Sequence, residues 1–167
     1  VEQMPGDIRW HFIGHLQTNK VKKLIGQATL IHSIDRLKLA REIQEEADRQ
    51  SQTVAMLVQV HASQGAPQQG FDPESVFEAV RAMASFDRLN IRGLMTIGPH
   101  VGDPDAIRSS FRMLRALSTQ LQDCFPDIRW HYLSMGMSSD FELAIEEGAN
   151  LLRIGSAVFR APNPSTP

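Results

Sequence analysis

Cysteine, lysine and long apolar runs are all scarce in this chain of 167 residues. The single cysteine, Cys124, excludes an internal disulfide and is typical of a reducing compartment, so we expect a cytoplasmic protein. Its place near the end of a helical pattern predicts a packed side chain rather than a nucleophile. No apolar run approaches the length of a membrane span. A net charge of -2 gives no general attraction to nucleic acid or anionic membrane. We therefore expect neither as a partner.

Length and composition instead allow one globular domain with a substantial core. The hydrophobic content of 42% and the charged content of 22% are those of ordinary globular proteins, and the chain is too short for two comfortable domains. We expect this domain over residues 1–161, followed by a disordered tail over residues 162–167. The first residues, VEQMPGDIRW, carry no signal-peptide pattern. They lack a first methionine and enter a strand at once, which suggests a piece of a longer chain.

Strand and helix patterns alternate along the sequence. Period-2 and β-branched runs predict six strands, namely IRWHFIG, LIHSID, VAMLVQVHA, IRGLMTIG, RWHYLSMG and LLRIGSAVF. Two of the intervening helices should begin at Asp-Pro pairs, at residues 72–73 and 103–104, with aspartate as the N-cap. Ser139 and Glu142 have the spacing of a capping box, and Gly148 should end that helix. This alternation predicts an α/β fold of parallel strands joined by right-handed crossovers.

Two architectures fit this alternation, an open doubly wound sheet and part of a (β/α)8 TIM barrel. The segment DIRWH occurs at residues 7–11 and again at 127–131, four βα units apart, which is half of an eight-stranded barrel and favours the barrel. We expect His11 and His131, the last residues of these segments, to pack or hydrogen-bond within it. No acidic or cysteine cluster joins the histidines at ligand spacing, so we expect no metal site.

Glycines and hydroxyl side chains gather where the last two predicted strands end. Gly136 allows a tight turn, and Ser138 places a hydroxyl beside the free N–H groups of a helix start, where an anion is favoured. Gly155 and Ser156 offer the same chemistry, and barrels commonly bind phosphate after their last strands. Arg153 lies two residues before Gly155 and would add a fixed cation on the same face. The alternative is an ordinary cap and turn with no ligand, beside an arginine that reaches solvent.

Three segments, WHFIGHLQTNK, GLMTIG and LSMGMSSDFELAIEEGANLLRIGSAVF, resemble the YggS/PROSC family of pyridoxal 5′-phosphate-binding proteins. The family looks like the barrel domain of alanine racemase standing alone, and the resemblance covers nearly the whole chain. It implies an incomplete barrel of about six βα units, the first two being missing. It also implies that Ser138, Gly155 and Ser156 hold the cofactor phosphate and that Arg153 faces the pyridine nitrogen. The residues lining the barrel mouth on the cofactor's side would be Ser134, Met135, Gly136 and Met137.

The lysine that anchors the cofactor in this family has no counterpart here. It lies at the end of the first barrel strand, whereas this chain has lysines only in a loop and in helical segments: Lys20, Lys22, Lys23 and Lys38. The resemblance therefore implies non-covalent cofactor binding at best and no catalytic residue. It implies a protein that buffers or delivers pyridoxal phosphate, with apoenzymes that use this cofactor as candidate recipients and a monomeric full-length form. Two alternatives stay open: a racemase-like enzyme using the same cofactor, and a barrel enzyme that binds phosphate without it.

Overall fold

Six parallel strands form one curled sheet, an incomplete barrel, with helices in the connections between them. The computed structural model describes residues 7–61, 69–99 and 102–159. Within these residues the strands follow one another in chain order, and every neighbouring pair is parallel. The prediction of an incomplete TIM barrel is confirmed. The predicted tail over residues 162–167 lies outside the described residues.

The strands and helices alternate as the sequence patterns predict. The strands are β1 (His11–Phe12), β2 (Leu30–Ile34), β3 (Val54–Gln59), β4 (Leu89–Met95), β5 (Tyr132–Met137) and β6 (Leu151–Arg153). The helices are α1 (Val21–Leu24), α2 (Leu37–Arg49), α3 (Val76–Ala84), α4 (Pro104–Cys124), α5 (Phe141–Glu146) and α6 (Ser156–Phe159). A 3-10 turn, Thr18–Lys20, leads into α1.

Side chains on the two faces of the sheet form two separate apolar clusters. On β3, Met56 and Val58 belong to the large core that the sheet shares with its helices. Leu57, between them in sequence, belongs instead to a smaller cluster with Leu30 and Met95. Because successive strand residues point to opposite faces, the smaller cluster marks the concave face of the sheet. That inner face also carries the polar side chains described below.

The curl of the sheet brings distant strands into contact. His32 lies on β2 and Ser134 on β5, three strand positions away, yet His32 Nδ1 is 3.0 Å from Ser134 Oγ. Strands are about 4.8 Å apart, so a flat sheet would separate these positions by about 14 Å. Only a curved sheet closes that distance, and the contact therefore crosses the barrel interior.

Two of the predicted helix starts differ in their outcome. At α4 the prediction is confirmed, because the Asp103 side chain accepts a hydrogen bond from the Asp105 N–H at 3.0 Å. At α3 it is three residues early, because the helix begins at Val76. The Asp72 carbonyl accepts from the Ser75 and Val76 N–H groups, so a separate turn forms before the helix.

The predicted capping box at Ser139 and Glu142 does not form. Helix α5 begins at Phe141 with Asp140 as its N-cap residue, and the Asp140 side chain makes no capping hydrogen bond to the helix. The Asp140 carboxylate instead accepts from the Met137 N–H at 2.6 Å, which ties the helix start to the end of β5. The predicted stop is confirmed, since Gly148 follows the helix with φ at +99°.

The last predicted strand is shorter than its sequence pattern. Strand β6 ends at Arg153, and the Gly155 carbonyl accepts from the Val158 and Phe159 N–H groups, which closes the helical turn α6. The packed side chain predicted for Cys124 is wrong. This residue is exposed, because α4 ends there, past Leu121, its last buried residue.

Within the described residues, no helix is long and apolar enough to cross a membrane, and no group of three metal-ligating side chains forms.

Candidate functional site

The two glycine and serine clusters meet at the carboxyl ends of β5 and β6. Met137 and Arg153 are partners in the parallel pairing of these strands, so the residues that follow them are neighbours. The Ser138 hydroxyl oxygen accepts hydrogen bonds from the Gly155 N–H at 3.0 Å and from the Ala157 N–H at 3.1 Å. We call these two N–H groups and the Ser138 hydroxyl the donor cup. The expected juxtaposition of the clusters at one end of the sheet is confirmed.

The donor cup gathers two backbone N–H groups on one acceptor, the Ser138 oxygen, because the chain turns sharply from β6 into α6. A Cβ built at Gly155 would have no atom of the described residues within 4 Å, so these residues leave the space beside the cup open. Ser156, the next residue, is exposed. Convergent backbone N–H groups with nearby hydroxyls bind anionic oxygen more strongly than a neutral acceptor.

Arg153 holds a fixed positive charge on the inner face of the sheet. Its Nη1 donates to Ser134 Oγ at 2.8 Å, and its Nη2 donates to the Thr96 carbonyl at 2.8 Å. Burial lowers the pKa of Arg153 to about 10, while the nearby Asp140 acts in the opposite direction. The guanidinium therefore stays protonated near neutral pH, and its two hydrogen bonds fix its orientation.

His32 is a site residue that the sequence analysis missed. Its side chain is buried, with Nδ1 facing Ser134 Oγ at 3.0 Å and Nε2 facing His11 Nδ1 at 3.1 Å. Burial, followed by the nearby His11 and Arg153, lowers the pKa of His32 to about 4, so the ring is neutral near pH 7. We call His11, His32, Ser134 and Arg153 the polar relay. One signal was available, because the pattern LIHSID places a histidine on the same strand face as Leu30.

The remaining candidate residues occupy different environments. Met135 is fully buried in the large core, so its side chain packs toward the helices and not toward the concave face. Gly136 has φ at +93°, and a Cβ there would lie 2.6 Å from Ala144 Cβ, so glycine lets α5 approach β5. Met137 lines a cavity of about 270 Å³ together with Ile97, Gly98, Ser139 and Asp140. Of the predicted set, hydrogen bonds therefore join two pairs, Arg153 with Ser134 and Gly155 with Ser138.

The histidines that end the two DIRWH segments, and the four lysines, also have defined places in the structure. His11 does hydrogen-bond within the barrel, to His32. The expectation for His131 is wrong, because this residue is exposed and its ring packs edge-on against that of the adjacent Tyr132. All four lysines are exposed and lie in the 3-10 turn, α1 and α2. No lysine therefore lies on a strand.

Comparisons with known proteins place this chain among close relatives. The family model of the alanine racemase N-terminal domain matches residues 4–162. The pyridoxal phosphate homeostasis protein of Aquifex aeolicus is 44% identical over 153 residues, which are 92% of this chain and 67% of that protein. The chain spans about two thirds of the length of the curated relatives it matches.

Solved structures give the same grouping. PipY of Synechococcus elongatus, a structure with pyridoxal phosphate bound, is 33% identical with a TM-score of 0.86, over 95% of this chain and 73% of that one. Alanine racemase of Clostridium difficile is 15% identical with a TM-score of 0.76, over 95% of this chain and 41% of that one. The second likeness is one of fold alone.

Proposed function

This chain belongs to the pyridoxal phosphate homeostasis protein family, which has the alanine racemase N-terminal domain fold, and from this premise we propose that it binds pyridoxal 5′-phosphate as a carrier. Its role is to buffer the cofactor or to deliver it to apoenzymes, and it does not itself transform amino acids. The observation that carries the proposal is the donor cup lying beside the protonated Arg153.

The donor set fits this cofactor. The phosphate group needs several hydrogen-bond donors at one point, and the Ser138 hydroxyl and the exposed Ser156 hydroxyl can both donate. The Gly155 and Ala157 N–H groups donate to the Ser138 oxygen, and they would donate to phosphate once that oxygen turns away. The pyridine nitrogen needs a partner, and Arg153 offers a guanidinium two residues before the cup. Open space at Gly155 leaves room for the group. The phosphate and the ring nitrogen therefore each have partners in the described part of the chain, whereas the aldehyde has no lysine on these strands.

The choice of arginine favours carriage over catalysis. When bound, the cofactor supplies an aldehyde and an electron-withdrawing ring. A guanidinium with a pKa of about 10 donates to the ring nitrogen and does not give up its proton at neutral pH. The ring nitrogen then stays unprotonated, and the ring withdraws electrons less strongly. Such a ring suits transport of the cofactor better than broad amino-acid chemistry.

Binding in this chain is non-covalent. The four lysines are exposed in helical segments, and none lies on a strand or in the donor cup. Phosphate and ring contacts alone then hold the cofactor. Borohydride treatment in its presence should leave only sparse, unselective labelling of surface lysines, measured by mass spectrometry. A stoichiometric pyridoxyl group on one lysine, Lys20 for example, would contradict this part of the proposal.

We propose that the binding unit is the single domain over residues 1–161 and that affinity for pyridoxal phosphate does not depend on residues 162–167. We propose a monomeric full-length form with apoenzymes as partners. Removing residues 162–167 should leave the dissociation constant for pyridoxal phosphate unchanged. A loss of affinity in this shortened chain would show that the tail belongs to the site.

The decisive experiment is an absorbance titration of the chain with pyridoxal phosphate, with pyridoxal as the ligand control. We expect saturable binding of the phosphate ester, competition by inorganic phosphate, and much weaker binding of pyridoxal, which cannot occupy the donor cup. Equal affinity for the two ligands, or no saturation, would refute the proposal. An assay for alanine and serine racemisation should detect no turnover, and turnover would favour the racemase-like alternative.

A further inference from the structure

We propose that His32 is a positioning residue that acts through the Ser134 hydroxyl to hold the Arg153 guanidinium against the cofactor ring. The inference rests on the proposed function, because the ring is what Arg153 would meet. It goes beyond that function by assigning a role to a buried histidine three strands away from the serine it contacts.

The direction of the first hydrogen bonds follows from what each group can do. Arginine is only a donor, so the Ser134 oxygen accepts from Arg153 Nη1 at 2.8 Å. The Ser134 hydroxyl proton then needs an acceptor, because the residue is fully buried. In the described part of the chain, its other hydrogen-bond partner is His32 Nδ1 at 3.0 Å. His32 Nδ1 must therefore accept, which places the ring proton on Nε2.

The next hydrogen bond extends the same direction to the edge strand. With its proton on Nε2, His32 donates to His11 Nδ1 at 3.1 Å, and His11 carries its own proton on Nε2. The relay thus runs from β6 through β5 and β2 to β1. At its other end, Arg153 Nη2 is held by the Thr96 carbonyl, so the guanidinium is fixed on two sides.

Neutral histidine is required for this arrangement. A protonated His32 would donate from both nitrogens, and the buried Ser134 hydroxyl would then face two donors with no acceptor for its own proton. Burial agrees with this requirement, since it lowers the pKa of His32 to about 4. An asparagine at this position can present its side-chain oxygen near the place of Nδ1, whereas a leucine of similar size cannot accept at all.

The relay can be tested first in the chain without ligand. Long-range proton–nitrogen correlation spectra at pH 7 report which ring nitrogen of each histidine carries the proton, and the His32→Asn variant assigns the signals. We expect His32 and His11 both to carry the proton on Nε2. A proton on Nδ1 of His32, or on both of its nitrogens, would overturn the relay whatever the ligand does.

The positioning role is tested with pyridoxal phosphate bound. In His32→Leu we expect about a tenfold rise in its dissociation constant. The pH dependence of the bound ring's absorbance should also shift, because the ring nitrogen becomes easier to protonate. Ser134→Ala should reproduce both effects, His32→Asn should restore wild-type behaviour, and the competition constant of inorganic phosphate should not change.

The possible results distinguish a failure of the role proposed for His32 from a failure of the proposed pyridoxal phosphate binding. If the pH dependence of the absorbance is unchanged in His32→Leu, His32 has only a structural role. The same conclusion follows if this variant loses affinity for inorganic phosphate and for pyridoxal phosphate equally. If wild-type chain binds no pyridoxal phosphate, the proposed function and the role at the ring both fail. The hydrogen-bond directions in the polar relay are tested independently, by the tautomers of His32 and His11 in the chain without ligand.

Discussion

Replacing Ser138 with aspartate should change the stability of the chain and its affinity for pyridoxal phosphate in opposite directions. The Ser138 hydroxyl accepts two backbone N–H groups, at 3.0 and 3.1 Å. A neutral hydrogen bond contributes about 1 kcal/mol to the free energy of unfolding, and a charge-assisted bond about twice that. Ala157 is exposed, so water can replace part of the interaction. We expect Ser138→Ala to lower the free energy of unfolding by about 1 kcal/mol and Ser138→Asp to raise it by up to about 1 kcal/mol.

Cofactor binding should respond in the other direction. The aspartate carboxylate accepts from the same two N–H groups and places a negative charge where the phosphate oxygens bind. Two like charges about 4 Å apart near a protein surface repel by about 4 kcal/mol. Affinity for pyridoxal phosphate should therefore fall at least 100-fold in Ser138→Asp, but only about tenfold in Ser138→Ala, which loses one hydroxyl.

Urea unfolding followed by circular dichroism measures stability, and absorbance titration measures affinity. Ser109→Asp on the exposed face of α4 is the matched control, because it changes net charge equally and Ser109 is not one of the donor-cup residues. It should leave stability within about 0.5 kcal/mol and affinity unchanged. The reasoning is refuted if Ser138→Asp destabilises the chain by about 2 kcal/mol or more. It is also refuted if this variant keeps wild-type affinity.

Three further predictions concern other residues of the barrel. Ser156→Asp should abolish binding of pyridoxal phosphate without affecting urea unfolding, because the exposed side chain lies beside the donor cup; unchanged affinity would remove Ser156 from the site. Gly93→Ala should destabilise the chain by about 3 kcal/mol, because φ is +147° and a Cβ would lie 1.9 Å from the Tyr132 carbonyl oxygen. A Cβ at Gly14 would have its nearest atom at 3.9 Å, so Gly14→Ala should unfold like wild type. An equal loss of stability in Gly93→Ala and Gly14→Ala would contradict the steric argument. Finally, the unfolded chain protonates His32 near pH 6.5 and the folded chain only near pH 4, so acid should lower wild-type stability. Between these pH values the free energy of unfolding of the wild type should fall by roughly 2 kcal/mol more than that of His32→Asn, as measured by urea denaturation. The same pH dependence in both proteins would disprove this prediction.

The order of elements was predictable because the signals for it are local. A β-branched run such as VAMLVQV needs only its own residues to indicate a strand, and an Asp-Pro pair such as that at 103–104 carries its cap within one turn. Element ends were less predictable. The start of α5 depends on the hydrogen bond from the Met137 N–H to the Asp140 side chain. The end of β6 depends on the hydrogen bonds that the Gly155 carbonyl accepts from the helical turn α6. Neither hydrogen bond can be read from the helix or strand propensity of the segment.

The donor cup and the relay differ in how far the sequence could determine them. Alternating strands and helices require parallel strands, whose carboxyl ends share one edge, so Ser138 and Gly155 had to be neighbours once the pattern was read. His32 and Ser134 are 102 residues apart and lie on strands that do not pair. Their contact exists only because the sheet curls, and curvature is a collective property of strand twist and helix packing that no single segment encodes.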